Sequence, residues 1–118
     1  MKKLSLLLLG IIFSATAFCQ TTIKLEDVAT HVGDSVKVCG TVFGGIFLER
    51  AKGTPTFLNV GAAYPNNPLT LVIWPDVRAT FTDKPETMYK DKAICIIGKV
   101  ELFKDKPQIV IYSKEQIN

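Results

Sequence analysis

Few residues in this sequence are equipped for covalent chemistry. His31 is the only histidine, and it falls in a short amphipathic stretch where a solvated or capping role is the simpler one. Ser35 and Ser113 have no nucleophile-elbow motif around them. The carboxylates Glu26–Asp27, Asp83/Glu86 and Glu101/Asp105 do not converge on one predicted face. Metal-assisted hydrolysis needs oxygen ligands gathered together, so no catalytic residue is assigned. No Cys-x-x-Cys or Cys/His cluster suggests a metal, and no cofactor is expected. Non-covalent chemistry is better supplied. Arg50 and Lys52 share one polar loop. Lys104 and Lys106 share another, with Lys99 on the strand leading into it. Tyr64, Trp74 and Phe103 are candidate stacking rings. Single-strand binders combine these two features, with cations along phosphates and rings against bases.

Each of these residues also has a plainer role open to it. Loop lysines are commonly just solvated, and Glu49, Glu101 and Asp105 partly cancel these. Trp74 closes an apolar strand and is equally able to pack against the connection that follows. Asn59 interrupts an apolar strand, and the expected explanation is that it ties the following Tyr64-Pro65 loop. Ligand contact is the alternative.

The elements that would position these residues follow from periodicity. Leu25, Val28, Ala29 and Val32 recur at helical spacing within residues 23–32, stopped by Gly33-Asp34. Val36, Val38 and Val42 alternate with Lys37, Cys39 and Thr41, as in a strand with one buried face. Gly44-Gly45 then interrupts before Ile46-Phe47-Leu48 resumes, which is how a long barrel strand bends. Further strands are predicted at 55–61, 69–74, 93–103 and 107–112. Tyr64-Pro65-Asn66-Asn67-Pro68 forms a dense turn signal. Residues 76–81 and 85–89 read as two short helical pieces, with Asp76 and Thr82 or Asp83 as caps. The fold class is therefore mainly β, a five-stranded OB-type Greek-key barrel with a short N-terminal helix and a helical segment between strands 3 and 4. A flat or sandwich-like α+β domain is the rival architecture.

Residues 1–19 stand apart from this domain. Met1-Lys2-Lys3, an apolar run from Leu4 to Phe13 and a stretch of mostly small residues from Ser14 to Cys19 have the order of a secretory signal peptide. The apolar run is shorter than the ~20 residues of a membrane span. Ala17 and Cys19 suit the two small-residue pockets of a signal peptidase, giving a domain of residues 20–118. Phe18 before Cys19 argues against a lipid-modified cysteine. The product is expected in the periplasm or secreted, with no membrane association after cleavage. The full chain carries +3. Without Lys2 and Lys3 twelve cations face eleven carboxylates, a net +1, so bulk charge makes no case for nucleic acid. In an oxidising compartment the remaining pair, Cys39 and Cys95, invites a disulfide. In the barrel order they face the same side of neighbouring strands, and register decides between a bond and two free thiols.

The chain resembles small secreted bacterial OB-fold domain proteins described as nucleic-acid-binding and sometimes joined to nuclease domains. The resemblance is carried by Val38-Cys39-Gly40-Thr41-Val42, by Thr54 to Gly61 with Tyr64-Pro65, by Leu71-Val72-Ile73-Trp74, and by Ile94 to Val100 followed by Lys106 to Val110. It covers nearly all of residues 20–118 and is specific for the fold rather than the ligand. A more distant likeness is to periplasmic OB-fold proteins of stress-response type. Two functions stay open: a module binding single-stranded nucleic acid or another anionic polymer, or an interaction protein whose barrel grips a protein or small ligand. Cleavage of the leader is directly measurable. The exported protein should have an intact mass beginning at Gln20, with or without cyclisation of that glutamine. A mass carrying lipid on Cys19 would overturn the assignment.

Overall fold

The computed structural model describes residues 21–118; the predicted leader lies outside them. Six strands follow in the order β1 (Thr21–Ile23), β2 (Ser35–Phe47), β3 (Thr56–Val60), β4 (Leu69–Ile73), β5 (Ala93–Phe103) and β6 (Lys106–Ile111). Two short α-helices, α1 (Pro75–Arg78) and α2 (Pro85–Met88), connect β4 to β5. Short 3-10 turns occupy Leu25–Thr30 and Lys114–Gln116. The fold is mainly β. Its strands form one mixed sheet in the order β1-β2-β3-β4-β6-β5, and β2 also pairs with β5. From β2 the pairing therefore runs through β3, β4, β6 and β5 back to β2, a barrel-like closure that removes most exposed edges. Among the described residues no helix is long and apolar enough to cross a membrane.

Strand alternation explains the core. Val36, Val38 and Val42 of β2, Leu58 and Val60 of β3, Leu69, Leu71 and Ile73 of β4, and their counterparts on β5 and β6 are buried around one interior. These residues are mostly β-branched, which suits a pleated, packed surface. Val28 and Val77 join the same cluster from the first 3-10 turn and from α1.

β2 serves two neighbours in turn. Its first half, Ser35 to Thr41, pairs antiparallel with β5, and its second half, Val42 to Phe47, pairs with β3. Between Val42 and Gly45 the register shifts by one residue, a β-bulge. A one-residue shift reverses which side chains face the core. Ile46, which would continue the buried Val38–Val42 series, is instead about half exposed. Gly45 is required here because a Cβ would collide with the backbone oxygen of Phe57.

The expected N-terminal helix is corrected. Ile23 belongs to β1, which lies parallel to β2, and only Leu25–Thr30 turns helically, as 3-10. With six residues in that turn, Val28 is buried and Val32 stays exposed. The expected caps are also displaced. Trp74 and Lys84 occupy the N-cap positions of α1 and α2, each followed by proline at the first helical position, where the absent N–H costs nothing. The C-terminal segment after β6 is docked on the barrel. Gln116 accepts from the backbone N–H groups of Tyr112 and Ser113 and donates to Ile97 O, and Ile117 bridges to Ile96 of β5.

Cys39 and Cys95 stand directly opposite each other on β2 and β5 and are bonded, with Cα atoms 3.9 Å apart. The bridge spans 56 positions. Closing a loop of that size contributes up to about 4 kcal/mol in the chain-entropy model. Denaturant unfolding of a Cys39→Ser/Cys95→Ser variant should show a loss of that order or smaller. Thiol titration of the unreduced, unfolded domain should find no reactive group at these positions; two per chain would rule the bridge out.

Candidate functional site

The outward face of β3, β4 and β6 carries a polar row. Asn59 is paired in register with Thr70, and Thr70 with Gln108. All three are half-buried, and they form the floor of a groove of about 650 Å³. Gly45 and Ile46 of β2, with Leu48 beyond it, line one side, and Phe57 lies next to Asn59 along β3. Phe103, Lys104, Lys106 and Pro107 line the other side, and Tyr64 enters from the β3–β4 loop. The bulge in β2 is what brings Ile46 to this outer surface.

The β5–β6 hairpin positions the cations. Phe103 pairs with Lys106, leaving Lys104 and Asp105 as a two-residue loop. Both have left-handed backbone, with φ of 50° and 64°, as a type I′ hairpin turn requires. For residues with a Cβ that conformation costs roughly 1–2 kcal/mol each, which the flanking strand pairs offset. Lys104 Nζ lies 5.4 Å from the centre of the Phe103 ring. Lys106 Nζ lies 5.8 Å from that of Tyr64. Each exposed cation–ring contact is worth about 0.5–1 kcal/mol and keeps a positive charge beside an accessible aromatic face. Phe103 is 58% exposed and Tyr64 is 74% exposed.

A second cluster anchors the groove from behind. Arg78, on α1, donates from Nη1 to Thr56 Oγ1 at 2.6 Å and to Glu86 Oε1 at 2.7 Å, and from Nη2 to Glu86 Oε2 at 3.2 Å. Its guanidinium carbon sits 3.8 Å from the centre of the Phe47 ring. Thr56 is fully buried, and Arg78 supplies its hydroxyl with a partner. One side chain thus ties α1 to α2, to the start of β3 and to the end of β2. Burial pushes the Glu86 carboxyl upward, but the hydrogen bonds and charge of Arg78 outweigh it and hold the group below its ordinary range.

The structure brings together four of the ring and cation residues singled out from sequence: Tyr64, Phe103, Lys104 and Lys106 line the groove. Four others do not line it. Arg50 and Lys52 lie beyond Leu48, in a loop folded on itself by successive bonds from Leu48 N to Pro55 O, Ala51 N to Leu48 O and Thr54 N to Ala51 O. Trp74 packs against that loop instead, where a Cβ on Gly53 would come within 2.8 Å of its ring. Lys99 is opposite Ser35 in the β2–β5 half of the sheet. Asn59 does not fill its expected part either, because Asn67 ties the β3–β4 loop, donating to Leu69 O and Thr70 Oγ1. Missed at the sequence level were Ile46, Thr70 and Gln108, whose common face depends on register, and Arg78, whose partners are distant in sequence. Among the described residues no group of three or more His, Cys, Asp or Glu is placed to hold a metal.

No family model matches the chain, and no curated protein matches it. Among solved structures it is similar to one assigned as an aspartyl-tRNA synthetase from Leishmania major Friedlin, at 12% identity and a TM-score of 0.52. The alignment covers 91% of this chain and 22% of that one. The chain thus corresponds to about a fifth of the larger protein, and at this identity the likeness concerns the fold alone.

The anchoring cluster gives a signed pH prediction. A carboxyl whose folded pKa is depressed contributes stability that is present above its unfolded value and lost as pH falls through the folded one. Acid unfolding of the wild type should therefore include a loss of stability on descending through and below the ordinary glutamate range. Glu86→Gln should start less stable at neutral pH and lose less on acidification. Arg78→Met, which strands Glu86 and Thr56 with little solvent, should cost about 3 kcal/mol. Parallel acid titrations of wild type and Glu86→Gln would contradict the assignment.

Proposed function

We propose that this chain is an exported binding module, an OB-type Greek-key barrel without catalytic chemistry, that takes single-stranded nucleic acid or another anionic polymer in the β3–β4–β6 groove. The observation that carries the proposal is the pairing of Lys104 with Phe103 and of Lys106 with Tyr64 around a half-buried polar floor. Charge for phosphates and rings for bases are then available in one concave surface. Strand order supports the OB assignment. Within the ring β2-β3-β4-β6-β5, β4 and β6 are parallel while the other contacts are antiparallel, and the helical connection falls between the third and fourth ring strands in chain order. Likeness to part of a protein named for its tRNA substrate is consistent with this use. The disulfide suits an oxidising compartment outside the cytoplasm, in keeping with the leader at residues 1–19.

An interaction protein gripping a protein or small ligand is the second reading. The exposure of Ile46 and Phe103 along the groove favours it, since apolar rims of this kind also suit protein partners. Salt separates the two. Binding of DNA, RNA and glycan strands should be measured across a salt series, with nucleic-acid affinity falling steeply as salt rises. Lys104→Ala/Lys106→Ala should reduce the magnitude of that slope by about 1.4, at about 0.7 per cation. Tyr64→Ala should cost about 1–3 kcal/mol with the slope unchanged. Absence of single-strand affinity even at low salt would replace the first reading with the second.

A further inference from the structure

The groove floor contains more hydrogen-bonding capacity than a sequence-blind polymer track needs. Asn59, Thr70 and Gln108 stand in register on three adjacent strands and all line the groove. The next outward residues on two of those strands, Val72 and Val110, are buried and apolar, so the polarity is confined to the groove. Thr70 Oγ1 already accepts from Asn67 Nδ2, which leaves its O–H able to donate. The amides of Asn59 and Gln108 each present a donor and an acceptor in one plane, the combination that pairs with the edge of a nucleobase. Both cations, by contrast, belong to the exposed hairpin, above the half-buried row.

We infer that the bases of a bound single strand point down onto the Asn59–Thr70–Gln108 floor while its phosphates follow Lys104 and Lys106, so that the groove discriminates between bases. This deepens the nucleic-acid assignment above and rests on it. Phosphate contacts position a strand without reading it, whereas contacts to base edges carry sequence information. Asn59 and Gln108 are then specificity-determining residues, and their loss should separate preference from electrostatics.

The test measures affinities of the domain for dA, dC and dT pentamers, and for an abasic pentamer of equal charge, at two salt concentrations. Wild type should spread the three base-bearing strands over about 10-fold or more, the range expected of a bidentate amide–base contact, and bind the abasic strand weakest. Asn59→Ala and Gln108→Ala should each narrow that spread to about 3-fold or less while leaving the salt slope unchanged. Thermal unfolding at the wild-type midpoint would show that these outward substitutions leave the barrel intact. Equal wild-type affinity for all three pentamers, or a spread that survives both variants, would overturn the inference while leaving single-strand binding standing. Absence of binding to every strand would instead overturn the nucleic-acid assignment itself.

Discussion

The antiparallel pairing of β2 with β5 is the constraint on which the rest of this structure depends. β2 must hold β5 along its first half and β3 along its second, so it must bend between them. The bulge ahead of Gly45 provides the bend, and Gly45 lets the strand approach the Phe57 carbonyl. The Cys39–Cys95 bridge crosses the same seam and limits how far β2 and β5 separate in the unfolded chain. Without that seam the sheet would be open, β5 would hold only β6, and the hairpin bearing Lys104 would lose its fixed position relative to β3.

Closure and site are therefore one problem. The shift that bends β2 also turns Ile46 outward, and in the strand order β2 and β5 flank the β3–β4–β6 floor. The groove is thus walled by both halves of the device that closes the barrel. Arg78 secures the same region from the helical connection by holding Thr56, Glu86 and the Phe47 ring together. Its charge is largely withdrawn from solvent and satisfied locally, which gives it a structural role. The lysines of the hairpin keep their charge exposed on the wall of the groove.

Much of this was legible in the sequence where a rule is local. β5 was predicted over 93–103 and is found there, because alternation over eleven residues gives a clear period. The shared facing of Cys39 and Cys95 followed from the same alternation; their register required the structure. β1 was invisible because three residues carry no period, and Ile23 was absorbed into a helical pattern. The Arg78 contacts span 22 and 8 positions, and nothing nearby in sequence marks them. Tyr64, Phe103, Lys104 and Lys106 meet at one groove because strand order alone brings the β3–β4 loop and the β5–β6 hairpin toward one face. Arg50, Lys52 and Trp74 lie outside the groove, because a polar loop that folds back on itself and packs on an indole looks, in sequence, like an open one.

A strand seated in the β3–β4–β6 groove must perturb the residues that line it. Backbone amide chemical shifts should be followed while isotope-labelled protein is titrated with a short single-stranded oligonucleotide. Shifts should concentrate at Ile46, Phe57, Asn59, Tyr64, Thr70 and residues 103–108, with Ser35 and Lys99 unmoved. Shifts centred on the β2–β5 seam around Lys99, or none at any position, would contradict that seating.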